Sequence, residues 1–507
     1  VVIRWIGFLI ILFLSAAEIW ANESPSLPID HEAYEGIERL KSRGLFRPLL
    51  LDAKPLNRYS VAHPLVDLLA SINQEDFPEA VFKPGVQEEL LKLLNEFQEE
   101  VDDLEGTAPR RFFSFHLADP LSIEIGYASF SKDRLRLREN HQGDYFSDGF
   151  NQQIKIRSWG VLGKQISWFV VPKVTTNRDG SVLEIEEGLL KFGFKNFEIG
   201  VGRESLWWGP GYNGALLLSN NAPPMNLIRA GSREAFQLPG FLEPLGFWQL
   251  TGFLARLEED RDISHPLLLG LRIGYSPSSF LEIGLNRMTM WEGKGRPGLS
   301  FTEFLELYFS KPNKAGDFEV NELGSVDVKI NLPTLPLIQG GNIYGEIGGE
   351  DEAGFFPADI GFLAGIYLTG LFNQPAFDFR TEYANNHVPG TPNVWYVHST
   401  YTSGYTHKGV ILGHPMGIDS DSIFFQLSKE LVEDLSILFS FDQERHFLSS
   451  PVKERKREFI FEIKSRFGWL KPVWILTYEY EAIQNYNGIN GEKAKNHTFI
   501  SRTEFSF

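Results

Sequence analysis

Two periods of apolar residues divide the chain. From about residue 30 to 106 the spacing is helical: Tyr34, Ile37 and Leu40 stand at i, i+3 and i+6, and Gly44 then reads as a stop signal. Val86, Leu90, Leu93, Leu94, Phe97, Val101 and Leu104 form a second stripe, interleaved with Gln87, Glu88, Glu89, Glu96, Gln98, Glu99 and Glu100. That stripe predicts one amphipathic helix with an acidic outer face, packed against neighbouring helices. After Gly106-Thr107 the period becomes two. Leu435, Ile437, Phe439 and Phe441 alternate with Ser436, Leu438, Ser440 and Asp442. Trp474, Leu476, Tyr478 and Tyr480 oppose Thr477, Glu479 and Glu481; Phe377, Phe379, Thr381 and Tyr383 oppose Asp378, Arg380 and Glu382. Runs at 123–127, 197–201, 281–285, 326–330 and 459–463 repeat the pattern, separated by Gly, Pro, Asn and Asp.

Strands that alternate charge with aromatics fit either a soluble sandwich or a membrane barrel that encloses the charge. The alternation lasts about 400 residues without a helical break, aromatics bracket the strands, and closure removes the exposed edges such a sheet would otherwise carry. The last strand alternates through Phe499 and Phe505 to Phe507, an ending that resembles the assembly signal of bacterial outer-membrane barrels. At roughly 22 residues per strand and connection, the expectation is about 16 to 20 strands, an even number. The fold class expected is therefore all-β, a large transmembrane antiparallel barrel behind a small N-terminal α-helical segment.

The N-terminus supports export. Arg4 precedes an apolar core over 5–14, and Ser15, Ala16, Ala17 and Ala21 supply small residues for cleavage after Ala17 or Ala21. No later stretch reaches 18 consecutive apolar residues; the longest, 361–372, is broken by Gly and Thr. The expected organisation is a signal peptide over 1–21, a periplasmic helical segment over 22–106 and an outer-membrane barrel over 107–507.

Composition removes several classes of function. The formal charge of −18 disfavours nucleic acid, whose binding needs clustered cations. With no cysteine there is no thiol catalysis, Cys-ligated zinc, iron–sulfur cluster or disulfide. Neither a His-Glu-x-x-His metal motif nor a Gly-x-Ser-x-Gly elbow occurs, so no catalytic residue is assigned. His387, His398, His407 and His414 are spaced by 11, 9 and 7 residues, which matches no ligand motif, and they read as loop or lumen histidines. Asp419, Asp421 and Glu430 resemble a calcium loop only until Phe424, which stands where that loop requires Gly. Glu258-Glu259-Asp260 and Glu350-Asp351-Glu352 read as solvated loop tips. No metal or cofactor is expected.

The most unusual stretch is 206–224, LWWGPGYNGALLLSNNAPP. Gly209, Pro210, Gly211 and Gly214 ask for special turns. Trp207, Trp208 and Tyr212 offer flat apolar faces beside the amides of Asn213, Asn220 and Asn221. Sugars need that combination, rings stacking on aromatics while hydroxyls pair with amides. A constriction or plug held by Asn hydrogen bonds fits the same residues, and the chemistry alone leaves both open.

This tract resembles the signature of the Wzi-type capsule-assembly proteins of the Gram-negative outer membrane. A second tract, TYTSGYTHKGVILGHPMGIDSDS over 400–422, agrees through Tyr401, Gly404, Tyr405, Gly413, His414 and Asp419. The resemblance covers essentially the mature chain. It implies an 18-stranded outer-membrane barrel with helices near its periplasmic mouth. It also implies a non-enzymatic, lectin-like role in attaching or organising capsular or related exported polysaccharide. Arg203, Arg229, Arg233, Arg380 and Lys408 are further candidates, since a uronate-bearing polymer needs cations. The implied partners are polysaccharide, outer-membrane lipid and the barrel assembly machinery. The helix–loop–helix over 34–69, with Gly44-Leu45 and Pro55-Leu56-Asn57-Arg58, resembles an S-layer-homology motif and adds cell-wall contact as an expectation. The alternative function is a porin or substrate-specific channel, with the same side chains lining a conduit.

Overall fold

The computed structural model describes residues 22–506 apart from 47–48, 74–78, 109–111, 299–302, 304–319, 351, 354–355, 358 and 469–470. The expected leader over 1–21 and the terminal Phe507 lie outside the described residues. Within them, eighteen antiparallel staves close into one barrel. The first six are β1 (Phe113–His116 and Leu121–Phe130), β2 (Gly149–Ile156 and Ser158–Leu162), β3 (Ile166–Asn177), β4 (Gly180–Phe194), β5 (Phe197–Glu204) and β6 (Met225–Ser232, then Phe236–Gln237). β7 (Phe247–Arg256), β8 (Leu267–Ser278), β9 (Leu281–Trp291), β10 (Asn321–Asn331), β11 (Gly340–Glu350) and β12 (Ile360–Thr369) follow. β13 (Phe377–Asn385), β14 (Asp421–Val432), β15 (Leu435–His446), β16 (Glu454–Arg466), β17 (Val473–Gln484) and β18 (Lys493–Phe505) complete the wall. Closure pairs β18 with β1, from Asn496 opposite Phe130 to Phe505 opposite Leu121.

The period of two sets which side chains enter the lumen. In β13, Asp378, Arg380 and Glu382 are buried inside while Tyr383 is exposed outside. The outward face carries exposed Leu190, Val201, Ile347, Phe439 and Phe499 round the wall, an apolar belt far larger than a water-soluble monomer tolerates. It suits lipid as the surrounding solvent. No helix of the described residues is long and apolar enough to cross a membrane. Many charges of the interior are paired, as in Arg272–Asp327 at 2.6 Å and Lys173–Asp144 at 2.6 Å.

Connections at one end are mostly short (163–165, 195–196, 279–280, 433–434), and the N-terminal helices sit there. The opposite end carries the long segments 131–148, 205–224, 292–320 and 386–420. In bacterial barrels the short turns face the periplasm and the long loops face outward.

The helices are α1 (Ala33–Ser42), α2 (Arg58–Asn73), α3 (Val86–Glu96) and α4 (Gln98–Glu105). α1 buries Tyr34, Ile37 and Leu40, and ends where the Gly44 amide donates to Lys41 O and the Leu45 amide to Leu40 O. The second stripe is two helices rather than one. The backbone leaves helical geometry at Phe97 (φ −106°, ψ 21°), whose fully buried ring lies 4.8 Å under the Arg58 guanidinium. The apolar spacing runs through this break undisturbed, because one non-helical residue hardly alters a stripe. Arg39–Asp378 (2.7 Å) and Lys92–Glu430 (2.8 Å) tie the helices to the barrel wall.

Candidate functional site

Inside the barrel the N-terminal segment meets the 205–224 tract. Ala53 pairs with Trp208 and Lys54 with Trp207 in a two-stranded sheet, and the Gly209 amide donates to Asp52 O (2.9 Å). Trp208 is buried with its ring centroid 5.3 Å from that of Phe253. Carboxylates of the wall hold the rest of the tract. The Tyr212 and Asn213 amides donate to Glu382 Oε1 (2.6 Å) and Oε2 (2.9 Å). Asn213 Nδ2 donates to Asp442 Oδ2 (2.6 Å), and the Leu216 amide to Glu346 Oε2 (2.9 Å). Each such carboxylate satisfies donors that a buried loop would otherwise leave unpaired.

A third layer closes over this one. Tyr396 in the 386–420 loop donates its hydroxyl to Leu216 O (2.7 Å) and accepts the His414 amide (3.0 Å). Ser219 Oγ donates to Gly413 O (2.7 Å) and Asn221 Nδ2 to Ile411 O (3.1 Å). The tract's glycines serve different needs. Gly209 occupies the left-handed region at φ +128°, whereas a Cβ on Gly211 would lie 2.0 Å from Gly214 O, and one on Gly214 would lie 2.4 Å from the His414 ring. For Gly211 and Gly214 the expectation of special turns is thus replaced by close approach.

Between the N-terminal segment and the tract lies a cavity of about 410 Å³. Trp207, Tyr212, Asn213, Asn220 and Arg380 all line it. The Arg380 guanidinium stacks on Tyr212 at 4.4 Å and Tyr367 at 4.3 Å, and donates to Glu38 at 2.7 Å. Burial opposes ionisation of Glu38, but Arg380 and Lys329 outweigh it and hold the carboxyl at about 2. Burial pushes the Lys54 ammonium, 4.5 Å above the Tyr34 ring, down to about 8.

The other sequence-derived candidates lie elsewhere. Trp208 and Asn221 belong to the packed layers just described. Arg229 joins Glu198 (2.7 Å) and Glu204 (3.0 Å) in a buried ion network, and Arg233 is buried beside Glu23. Arg203 faces outward and donates to Asn226 (3.0 Å). Tyr405 is buried, its ring stacked on Tyr396, and Tyr401 donates to Glu292 O (3.1 Å). Asp419 accepts from the Ser449 amide (2.7 Å) and pairs with His387 (2.6 Å). Lys408 is exposed at the tip of the hairpin formed by Thr406–His407 and Val410–Ile411.

One residue in each acidic run departs from the solvated-tip expectation. Glu350 is buried and accepts the Tyr396 amide (2.5 Å), while Glu258 pairs with His407 (2.7 Å). These two carboxylates serve as anchors, while Glu259 and Asp260 are exposed as expected of a solvated tip. Among the described residues no group of three or more His, Asp and Glu side chains is placed to hold a metal ion. Sequence reasoning missed the cavity's N-terminal wall, Asp30, Tyr34, Glu38 and Lys54, because nothing local places a helical segment inside a barrel. Glu346 was findable, since it alternates with apolar residues in β11.

Burial drives the His414 imidazole down to about 4, with Glu444 raising it and Lys456 lowering it. An unfolded histidine titrates near 6.5, so between these values the undocked loop takes up a proton that the docked loop does not. Docking is therefore full above about pH 6.5 and weakens by about 1.4 kcal/mol per pH unit as pH falls toward 4. Protease cleavage within 386–420 is expected to rise from pH 7 to pH 5, and to rise less in His414→Gln. Equal pH dependence in the variant would assign the effect to other groups.

Residues 128–498, well over half of the chain, match the family model described as capsule assembly protein Wzi. A Klebsiella pneumoniae protein, described as an uncharacterized 55.8 kDa protein in the cps region, is 33% identical over 178 residues, 34% of each chain. The match thus spans about a third of that relative's length. Among solved structures, Escherichia coli Wzi superposes with a TM-score of 0.72 at 20% identity, covering 95% of this chain and 99% of the other. It is described as an outer-membrane protein involved in group 1 capsule assembly and a carbohydrate-binding β-barrel.

Proposed function

Because the chain belongs to the capsule assembly protein Wzi family, we propose that it is an outer-membrane, lectin-like barrel that binds and organises capsular or related exported polysaccharide at the cell surface. The observation that carries this reading is the pairing of Ala53–Lys54 with Trp207–Trp208 inside the lumen. A barrel filled from both ends is suited to presenting a surface rather than passing a solute. Polymer then contacts the outer loops, which the layered interior holds in place. Lys408, exposed at an outer hairpin tip, is the sequence-derived cation best placed for an acidic polymer. A repeating chain engages several such weak contacts at once, so retention grows through avidity. Trp207, Tyr212 and Arg380 act as supports of the layer beneath. Binding occurs without turnover. The helical segment faces the periplasm, where its outer acidic faces are available to the cell wall, and lipid and the barrel assembly machinery are the partners of the wall itself.

The test uses the folded barrel. Immobilised protein is expected to retain the producer's own polysaccharide, to release no reducing ends from it, and to show little steady conductance in a planar bilayer. Lys408→Glu should weaken retention of an acidic polymer about threefold, roughly one surface charge contact. Steady conductance with no retention of any polysaccharide would favour the porin reading and remove this one.

A further inference from the structure

The outward face of β14–β18 changes character at the end that carries the long loops. Register lines up its side chains in rows. The outermost row reads Asp421, Arg445, Arg455, Gln484, Lys493, and the next Ile423, Gln443, Arg457, Ala482, Lys495. Below them lie Phe425, Phe441, Phe459, Tyr480, His497, and then Leu427, Phe439, Phe461, Tyr478, Phe499. A belt of aromatic and aliphatic side chains therefore gives way, within one residue pair, to five cations and one carboxylate.

Four of these cations are not accounted for by the protein's own pairing. Asp421 is taken by Arg445 (Nε to Oδ1, 2.8 Å), and Arg457 Nε donates only to the neutral Gln443 (3.0 Å). Arg455 stands directly opposite Arg445, a like-charge pairing that destabilises a sheet, and its Nε is buried without a hydrogen-bond partner. Among the described residues Arg455, Arg457, Lys493 and Lys495 form no ion pair. In a chain of net charge −18, which has carboxylates to spare, an unpaired basic cluster on the lipid-facing side calls for an external anion. Ala482, with its small side chain, stands between Arg457 and Lys495 in this row and next to Tyr480 in the row below. Two strand spacings separate those cations, roughly 10 Å, enough to admit a compact headgroup.

The geometry points to a docking site for an acylated, phosphate-bearing glycolipid of the outer leaflet. Its chains lie along the Phe459–Tyr480–Phe499 belt, and its phosphates meet Arg455, Arg457 and Lys495. Guanidinium forks match phosphate oxygens in charge and shape, and basic residues beside an apolar belt are the general means of recognising anionic lipid headgroups. The assignment rests on the outer-membrane orientation proposed above, and is independent of which polysaccharide is bound.

Native mass spectrometry of the folded protein in detergent tests it, with a purified bis-phosphorylated glycolipid as probe. Wild type should retain the probe. Arg455→Gln/Arg457→Gln/Lys495→Gln should reduce the bound fraction at least tenfold, while Lys164→Gln/Lys471→Gln, on turns at the opposite end, should leave it unchanged. The dephosphorylated lipid should bind wild type at least tenfold less. Heat-modifiable gel mobility checks folding; if the triple variant fails that check, Lys495→Glu alone should lower binding about threefold. Undiminished binding in these variants, or equal binding of the dephosphorylated lipid, would overturn the site. Displacement by an acidic polysaccharide lacking acyl chains would overturn it in favour of a polysaccharide surface. The triple variant should keep polysaccharide retention within twofold, so failure here and failure of the lectin reading give different results.

Discussion

Lys191→Met is expected to free the N-terminal segment from the lumen while the wall still closes. Lys191 is fully buried and lies 3.0 Å from Glu23, 3.1 Å from Glu198 and 2.9 Å from Ser24 O. Glu198 is shared with Arg229, Arg233 lies 3.8 Å from Glu23, and Asn57 donates to Glu23 (3.1 Å). Arg229 also pairs with Glu204 (3.0 Å), so three cations meet three carboxylates, and removing one cation leaves a buried carboxylate uncompensated at a cost of about 3–5 kcal/mol. The strands are held by ladder hydrogen bonds to neighbours on both sides, whereas 22–57 is held to the wall through such contacts. The cost therefore falls on docking of the segment. Amide exchange over 22–57 should quicken by roughly 10² to 10⁴-fold, the same free energy read as local opening, and steady conductance should appear. Glu23→Gln/Lys191→Met removes the stranded charge and should recover more than half of the loss. Exchange within tenfold of wild type, or a double variant no better than the single, would show that other contacts hold the plug.

That prediction concerns the part of the molecule least legible in the sequence. The wall was legible because its constraint is local and repetitive: each strand presents one face to lipid and one to the lumen, so period two appears in every segment. The 18 staves fall inside the expected 16 to 20, and Asp378, Arg380 and Glu382 share the lumen face as alternation requires. The α1 stop at Gly44 was also local. The plug depends instead on contacts between distant residues, such as Ala53 with Trp208 and Lys191 with Glu23, and no local period encodes them. Glu350 shows the same limit, since a carboxylate in a polar run reads as solvated until the loop above it is known to turn inward. The glycines of the tract were recognisable as unusual, but a glycine needed for its φ and one needed for its missing Cβ look identical in sequence.

Gly214→Ala is the sharpest test of how the layers transmit order to the cell surface. A Cβ there would lie 2.4 Å from Cδ2, 2.6 Å from Nε2 and 2.7 Å from Cγ of His414. The ring has no easy retreat. Its Nδ1 accepts the Met416 amide (3.2 Å), its own amide is held by Tyr396, and the side chain is buried. Overpacking a site of this kind costs roughly 1–3 kcal/mol, and the weakest element, the 386–420 loop, should yield before the strands do. The barrel should still reach the heat-modifiable folded form, with cleavage inside 386–420 accelerated about 5- to 150-fold, the kinetic equivalent of that range. If the outer loops carry the polysaccharide surface, retention per folded molecule should fall alongside. Gly214→Ala/His414→Ala supplies the counter-test, because deleting the imidazole vacates the space the new methyl needs. The pair should be closer to wild type in loop protection than Gly214→Ala alone. Protection no better in the pair would place the damage in the backbone of the tract, and loosened loops with undiminished retention would move the polysaccharide surface off this layer.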